Sequence, residues 1–457
     1  MEKASLTELR VKSSEPVMVV PSLPSPKTIL SLSFIDQVYG KSSFNFLLVY
    51  NARQGISADP VKTIRSALAK ALVYYYPLAG RLTSKENGEL QVECTGEGVL
   101  FVEATSDNDL SVLGDLEDLK PSFQQLLFRL PPITADSPNS HLLAMQVTQF
   151  ACGGFVVGMH FHHSACDGKG AGQFFQSLTK IARGDANPSI EPIWNRELVK
   201  AKDLLHLQYY HLHSAMDSAH NLLSPLIEDK LVRASFVINS EILQYIKKEF
   251  MEECKESFST FEIVATLAWR AIANALHIPN NQNVSLLFAV DMRRSINPPL
   301  PRGYYGNALG IGSASDTVQD LINGSLLRAL KIIKKSRMSL QNAYLTPSMT
   351  YPSKLNMHLQ QDNIIGLTDW RRVGFNEVDF GWGDATNVSS LLSLEKQLIT
   401  PVFFIFVQPP KDMPNGIKIL MRMPMSTAKA FKIEMESMIN KCMDKSIQIT
   451  TGEAMNF

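Results

Sequence analysis

"FVVGMHFHHSACDGKGAGQFFQSLTKIARG", Phe155 to Gly184, is the stretch on which the fold class and the chemistry both turn. Phe155, Val157, Met159 and Phe161 alternate with Val156, Gly158, His160 and His162. Alternation of this kind puts successive side chains on opposite faces of a β-strand. From Gly168 onward the spacing changes, and Phe174, Leu178 and Ile181 fall on one face of a helix. His163 shares the parity of the apolar set, so its ring should turn inward as the strand ends. Asp167 follows four residues later, in the turn that leads into the helix.

Three chemistries compete for this turn. A zinc site could use His160 and His162, which share a face, but the usual His-x-His-x-Asp-His order would need Asp at Ser164. No His-Glu-x-x-His helix occurs elsewhere, so no metal is expected. A Ser164 nucleophile is disfavoured because adjacent residues on extended chain point opposite ways and Gly-x-Ser-x-Gly is absent. Cys166 shares no turn geometry with a helix N-terminus that would clearly depress its pKa. The glycines Gly168, Gly170 and Gly172 lack a following Gly-Lys-Ser/Thr, so tight packing explains them better than a phosphate cradle. A single inward imidazole is left, titrating near neutrality as a general base should. Taken alone, a buried histidine near an aspartate is more often structural than catalytic.

Working outward, "SADPVKTIRSALAKAL" reads as a helix capped by Asp59, with Pro60 in its first turn and Val61, Ile64, Leu68 and Leu72 as its stripe. "GELQVECTGEGVLFVEA" reads as strand, glycine turn and strand, and "HLLAMQVTQFACGGFVVGMHFHH" as two strands joined near Cys152–Gly154. Toward the C-terminus, "SFVINSEILQYIKKEFMEECKESFSTFEIVATLAWRAIANAL" gives strand, helix, polar gap and helix, and "NVSLLFAVDMRRS" a buried strand. Helix and strand alternate throughout, so the fold class is α/β.

A chain of 457 residues exceeds one ordinary core, which predicts two domains. Polar residues around Pro188 and Pro192 place a linker at residues 188–220, between domains at 1–187 and 221–457. His206, His211 and His213 fall in this linker and are read as part of an exposed segment rather than as ligands. With 44 basic and 44 acidic residues the net charge is zero, which argues against a nucleic-acid partner. The five scattered cysteines suit reduced thiols, and no signal peptide or membrane span is evident, so a cytoplasmic location is expected. The sequons at Asn283, Asn323 and Asn387 then read as chance.

"HSACDG", His163 to Gly168, resembles the HxxxDG motif of the plant BAHD acyl-CoA-dependent acyltransferases, and "DFGWG", Asp379 to Gly383, resembles that family's second motif. "YYPLAGRL" (Tyr75–Leu82) and "YYGNA" (Tyr304–Ala308) are also family-like, and the likeness spans the chain. "VMVVPSLPSPKTI", "ACGGFVVG", "IEPIWNRELVK" and "NGIKILMRMP" resemble the taxane acyltransferases within that family. The loop "NAYLTPSMTYPSKLNMHLQQDN" looks less typical of them.

The resemblance implies two chloramphenicol-acetyltransferase-like domains, with mixed sheets flanked by helices and joined by a crossover loop. A channel between them would have His163 at its centre, taking the proton from a hydroxyl or amine as it attacks the thioester. Asp167 would be structural and pair with Arg293, while Asp379, Gly381 and Gly383 shape the fold. Trp382 would be a channel contact, and Ser259 and Thr260 coenzyme contacts, although that pair would equally serve to cap the next helix. Lys334, Lys335 and Arg337 could meet coenzyme phosphates or simply form a solvated face. Trp382 and backbone amides compete as oxyanion donor. The implied partners are acyl-CoA as co-substrate and a hydrophobic taxane acceptor, with no permanent cofactor, no nucleic acid, no membrane span and a monomeric chain. The same chemistry on another hydrophobic or phenolic plant metabolite, or a non-catalytic relative that binds acyl-CoA or terpenoid, are the alternatives.

Overall fold

The computed structural model describes residues 8–40, 42–114, 120–130, 139–199, 230–345, 363–391, 400–409, 413 and 415–453. His206, His211 and His213, and most of the loop beginning at Asn342, lie outside the described residues. The chain divides into two compact units. The first comprises residues 1–202, 298–308 and 370–392, and the second residues 203–297, 309–369 and 393–457.

The first unit is built on a seven-stranded mixed sheet. Its middle strand, Phe155–His162, runs antiparallel to both Ser43–Tyr50 and Leu143–Phe150, and the latter is parallel to Val99–Ser106. Every residue of Phe155–His162 is buried, because the sheet is covered on both faces. Phe155, Val157, Met159 and Phe161 pack with the helices Pro60–Tyr74 and Gly168–Ala182, whereas Val156 packs with Phe123 and Leu126 on the other side. The alternation therefore sorts residues between two buried layers rather than between core and water. Asp59 caps the helix Pro60–Tyr74 by accepting from Val61 N at 2.9 Å, and Val61, Ile64, Leu68 and Leu72 are buried. Leu90–Glu93 and Val99–Ser106 do not pair with each other. The first joins a separate four-stranded sheet with Ile29–Ser31, Arg81–Ser84 and Ser140–His141.

The sequence expectation of a linker from residue 188 differs from the structure over residues 188–199. Ile193 bridges to Tyr304, and Arg196 is buried in the first unit. The proline and polar composition there is real, but an anchor to residues more than a hundred positions away leaves no local signature. Residues 298–308 and 370–392 also belong to the first unit, so both YYGNA and DFGWG are part of it.

The second unit carries a six-stranded mixed sheet, in the order Leu231–Ile238, Ile417–Pro424, Phe403–Val407, Asn363–Asp369, Asn283–Asp291 and Leu309–Thr317. Asn363–Asp369 is parallel to both Asn283–Asp291 and Phe403–Val407. The helix Thr260–Ala275 is buried along most of its length around Trp269, as its apolar, alanine-rich sequence demands. Among the described residues, no helix is long and apolar enough to cross a membrane.

Candidate active site

His163 lies one residue beyond the strand Phe155–His162, and its backbone is fixed from both sides. Its N–H donates to Ser42 O at 2.9 Å, and its carbonyl accepts from Asn307 Nδ2 at 2.7 Å. The residue is half-buried. Nδ1 is sealed from solvent and, among the described residues, has no partner at hydrogen-bonding geometry, which leaves Nε2 as the nitrogen free to meet an incoming group. Tyr39 stacks on the imidazole, with ring centroids 4.2 Å apart and planes 12° from parallel, and Phe44 meets it edge-on at 5.0 Å. Burial pushes the imidazole pKa below its usual 6.5, opposed in part by its own carbonyl, Asp167, Asn307 and Asp36. The ring is therefore neutral at neutral pH, the state a base must start from.

Asn307 is itself held by Asp36, whose Oδ1 accepts from Asn307 N at 3.2 Å and Nδ2 at 2.7 Å. The other oxygen of Asp36 accepts from Ser33 N at 2.9 Å, closing a capping box on the short helix Phe34–Val38, and pairs with Arg196 Nε at 3.1 Å. Arg196 in turn donates to Ala165 O at 2.6 Å and lies 3.9 Å from the centre of the Trp194 ring. A buried ion pair survives only when its remaining polar groups are also satisfied. Here those bonds converge on the backbone either side of Ser164. None of Asp36, Asn307, Arg196 or Tyr39 was assigned a role from sequence. Asn307 lay unused in YYGNA, and Ser33-x-x-Asp36 was a readable capping signal.

Asp167 caps the helix Gly168–Ala182. Its Oδ1 accepts from Gly170 N at 2.9 Å, and its Oδ2 accepts from Ala308 N at 3.1 Å. The glycines that follow permit close backbone approach, since a Cβ at Gly170 would lie 1.9 Å from Tyr305 O and one at Gly172 1.6 Å from Val373 O. The other two histidines of the strand are engaged locally. His160 Nδ1 accepts from Leu130 N at 2.6 Å, and His162 Nδ1 meets Ser164 Oγ at 2.7 Å. Burial drives their pKa values down to about 4 and about 3 respectively, which keeps both neutral.

In DFGWG, Asp379 Oδ1 accepts from Gly381 N at 2.7 Å and Gly383 N at 2.8 Å. Both glycines have positive φ, 108° and 88°, a conformation that L side chains rarely adopt. Arg183 donates to the Asp379 carbonyl. Trp382 packs edge-on against Phe155 at 5.3 Å. Phe155 begins the strand that His163 follows, so at 3.3 Å per residue the two ends are roughly 26 Å apart. Trp382 therefore cannot serve as the oxyanion donor beside His163.

The remaining candidates lie in the second unit. Ser259 caps the helix Thr260–Ala275 in a reciprocal box with Glu262, and Thr260 is the first residue of that helix. Arg337 pairs with Glu262 at 2.8 Å and Lys334 with Glu256 at 3.0 Å, while Lys335 is exposed. Arg293 donates to Asp291 at 3.1 Å.

A half-buried neutral imidazole with its backbone pinned on both sides, on a two-unit α/β scaffold, fits acyl transfer. The sequence matches the Transferase family over residues 9–438, and the chain belongs to that family, the BAHD acyl-CoA-dependent acyltransferases. It is 51% identical over 450 residues to taxadien-5-alpha-ol O-acetyltransferase of Taxus chinensis, covering 97% of this chain and 100% of the relative. It is also 53% identical over 450 residues to 3'-N-debenzoyl-2'-deoxytaxol N-benzoyltransferase of Taxus canadensis, with the same coverage of 97% and 100%. Among solved structures, vinorine synthase matches with a TM-score of 0.71 at 20% identity, over 94% of this chain and 98% of its own. F. sporotrichioides TRI101, solved with coenzyme A and T-2, matches with a TM-score of 0.64 at 17% identity, over 89% and 97%. The chain is an acyl-CoA-dependent acyltransferase of chloramphenicol-acetyltransferase-like fold.

Proposed function

We propose that this enzyme transfers an acyl group such as acetyl or benzoyl from coenzyme A to a hydroxyl or amine of a taxane diterpenoid, with His163 as the general base. The acceptor loses its proton to Nε2, and the freed electron pair forms a bond to the thioester carbonyl carbon. The tetrahedral adduct then collapses, the carbon–sulfur bond breaks, and the departing thiolate recovers the proton from the imidazolium. Attack is direct, within a ternary complex, so no acyl-enzyme forms. Asp167 acts through the backbone it holds, at Gly170 and Ala308.

The observation that carries the mechanism is the geometry of the ring: backbone-pinned on both sides, with Nδ1 buried, which leaves Nε2 for the acceptor. The taxane acceptor rests on the Taxus relatives, one named for O-acetylation and the other for N-benzoylation. Acetyl-CoA and benzoyl-CoA, each mixed with a panel of hydroxy- and aminoacyl-taxanes, would be followed by thiol release. His163→Ala should lower kcat by about 10²–10⁴-fold, the worth of one positioned base, while leaving the fold intact by circular dichroism. Turnover that survives this substitution refutes the reading, and thiol release only with phenolic or simple alcohol acceptors would move the substrate class.

A further inference from the structure

When Nε2 takes the acceptor's proton, a positive charge appears on a half-buried ring whose Nδ1 has no partner at hydrogen-bonding geometry among the described residues. The charged and titratable groups that influence this ring are Asp167 in the turn that follows, Asp36 on the helix Phe34–Val38, and His162 on the adjoining strand. Both aspartates already accept backbone bonds elsewhere: Asp167 from Gly170 and Ala308, Asp36 from Ser33 and Asn307. His162 stays neutral. The group in face-to-face contact with the imidazole is Tyr39, 4.2 Å away and 12° from parallel.

The stack is built into the backbone. Tyr39 N donates to Ile35 O at 3.2 Å, and its carbonyl accepts from Ser42 N and Ser42 Oγ, both at 3.0 Å. Ser42 O is the acceptor for the His163 N–H at 2.9 Å, so one residue ties the two ring-bearing segments together. Burial, with Asp167 nearby, pushes the Tyr39 phenol well above its ordinary pKa, so it presents a neutral ring. An aromatic face attracts a cation within about 6 Å of its centroid, and more strongly where water is excluded.

We infer that Tyr39 is a positioning residue for the base: its ring face fixes the plane of the His163 imidazole and stabilises the imidazolium formed during proton transfer. This rests on His163 being the base. What Tyr39 contributes is the ring face, and its hydroxyl is dispensable.

The test compares Tyr39→Phe with Tyr39→Leu. The His163 imidazole is titrated by NMR, its resonance assigned by its loss in His163→Gln, and kcat is measured with acetyl-CoA and a hydroxytaxane. In Tyr39→Leu the imidazole pKa should fall by about one unit and kcat by about 10-fold, with the KM for acetyl-CoA unchanged. Tyr39→Phe should stay within about 2-fold of the parent in kcat and keep its titration curve. The inference is overturned if Tyr39→Leu leaves the imidazole pKa unmoved or raises it, or if Tyr39→Phe is impaired as severely as Tyr39→Leu. Survival of turnover in His163→Ala would instead remove the base assignment, while the titration would still report the stack.

Discussion

The loops Asp167–Gly170 and Asp379–Gly383 are held by the same device and differ in what stands beside them. In each, an aspartate accepts from two backbone N–H groups: those of Gly170 and Ala308 in one, those of Gly381 and Gly383 in the other. The first adjoins an imidazole with an accessible nitrogen. The second lies near Phe155, at the far end of the same strand. An aspartate clamp of this kind fixes a backbone, and on the proposed mechanism chemistry arises only where a proton-accepting group is fixed with it.

If that is so, the two clamps should fail differently. Asp167→Ala leaves two buried N–H groups unpaired and releases the turn that carries His163. It should cost about 2–4 kcal/mol of stability and lower kcat by at least about 10²-fold, read by calorimetry and by thiol release. Asp379→Ala frees N–H groups on half-buried glycines that water can reach, so about 1–2 kcal/mol is expected. Its fractional loss of kcat should be much smaller than that of Asp167→Ala. Equal losses of kcat would break the comparison and bring DFGWG into the chemistry. Ser259→Ala sharpens it from the second unit: removal of a helix cap should cost about 1 kcal/mol with no change in the KM for acetyl-CoA. A raised KM would make Ser259 a coenzyme contact instead.

What could be read from sequence follows from how far apart the cooperating residues are. The strand, turn and helix around His163 were legible because period and capping act over a few residues, as Asp59 and Val61 also show. The HxxxDG motif pointed to His163 for the same reason. That the strand is covered on both faces was not legible, since buried parity looks alike whether one layer or two lie against it. Asn307 reaches the His163 carbonyl across 144 positions and Asp36 across 271, distances over which no periodicity survives. Arg196 was misplaced in a linker because a buried arginine reads as solvent-facing until its carboxylate is known. Trp382 was brought too near the chemistry because the motif carried no information on which end of the strand it packs against.

The central claim is that a single imidazole, neutral when substrate arrives, accepts the acceptor's proton. Its pKa is held below the ordinary histidine value of 6.5 by burial, so the midpoint of the base's loss lies below that value. The decisive measurement is kcat/KM against pH with acetyl-CoA and a hydroxytaxane. The profile should show one acid limb with its midpoint below 6.5, and the limb should be absent from the residual rate of His163→Ala. A limb centred at or above about pH 7, or one that persists in His163→Ala, would contradict the account.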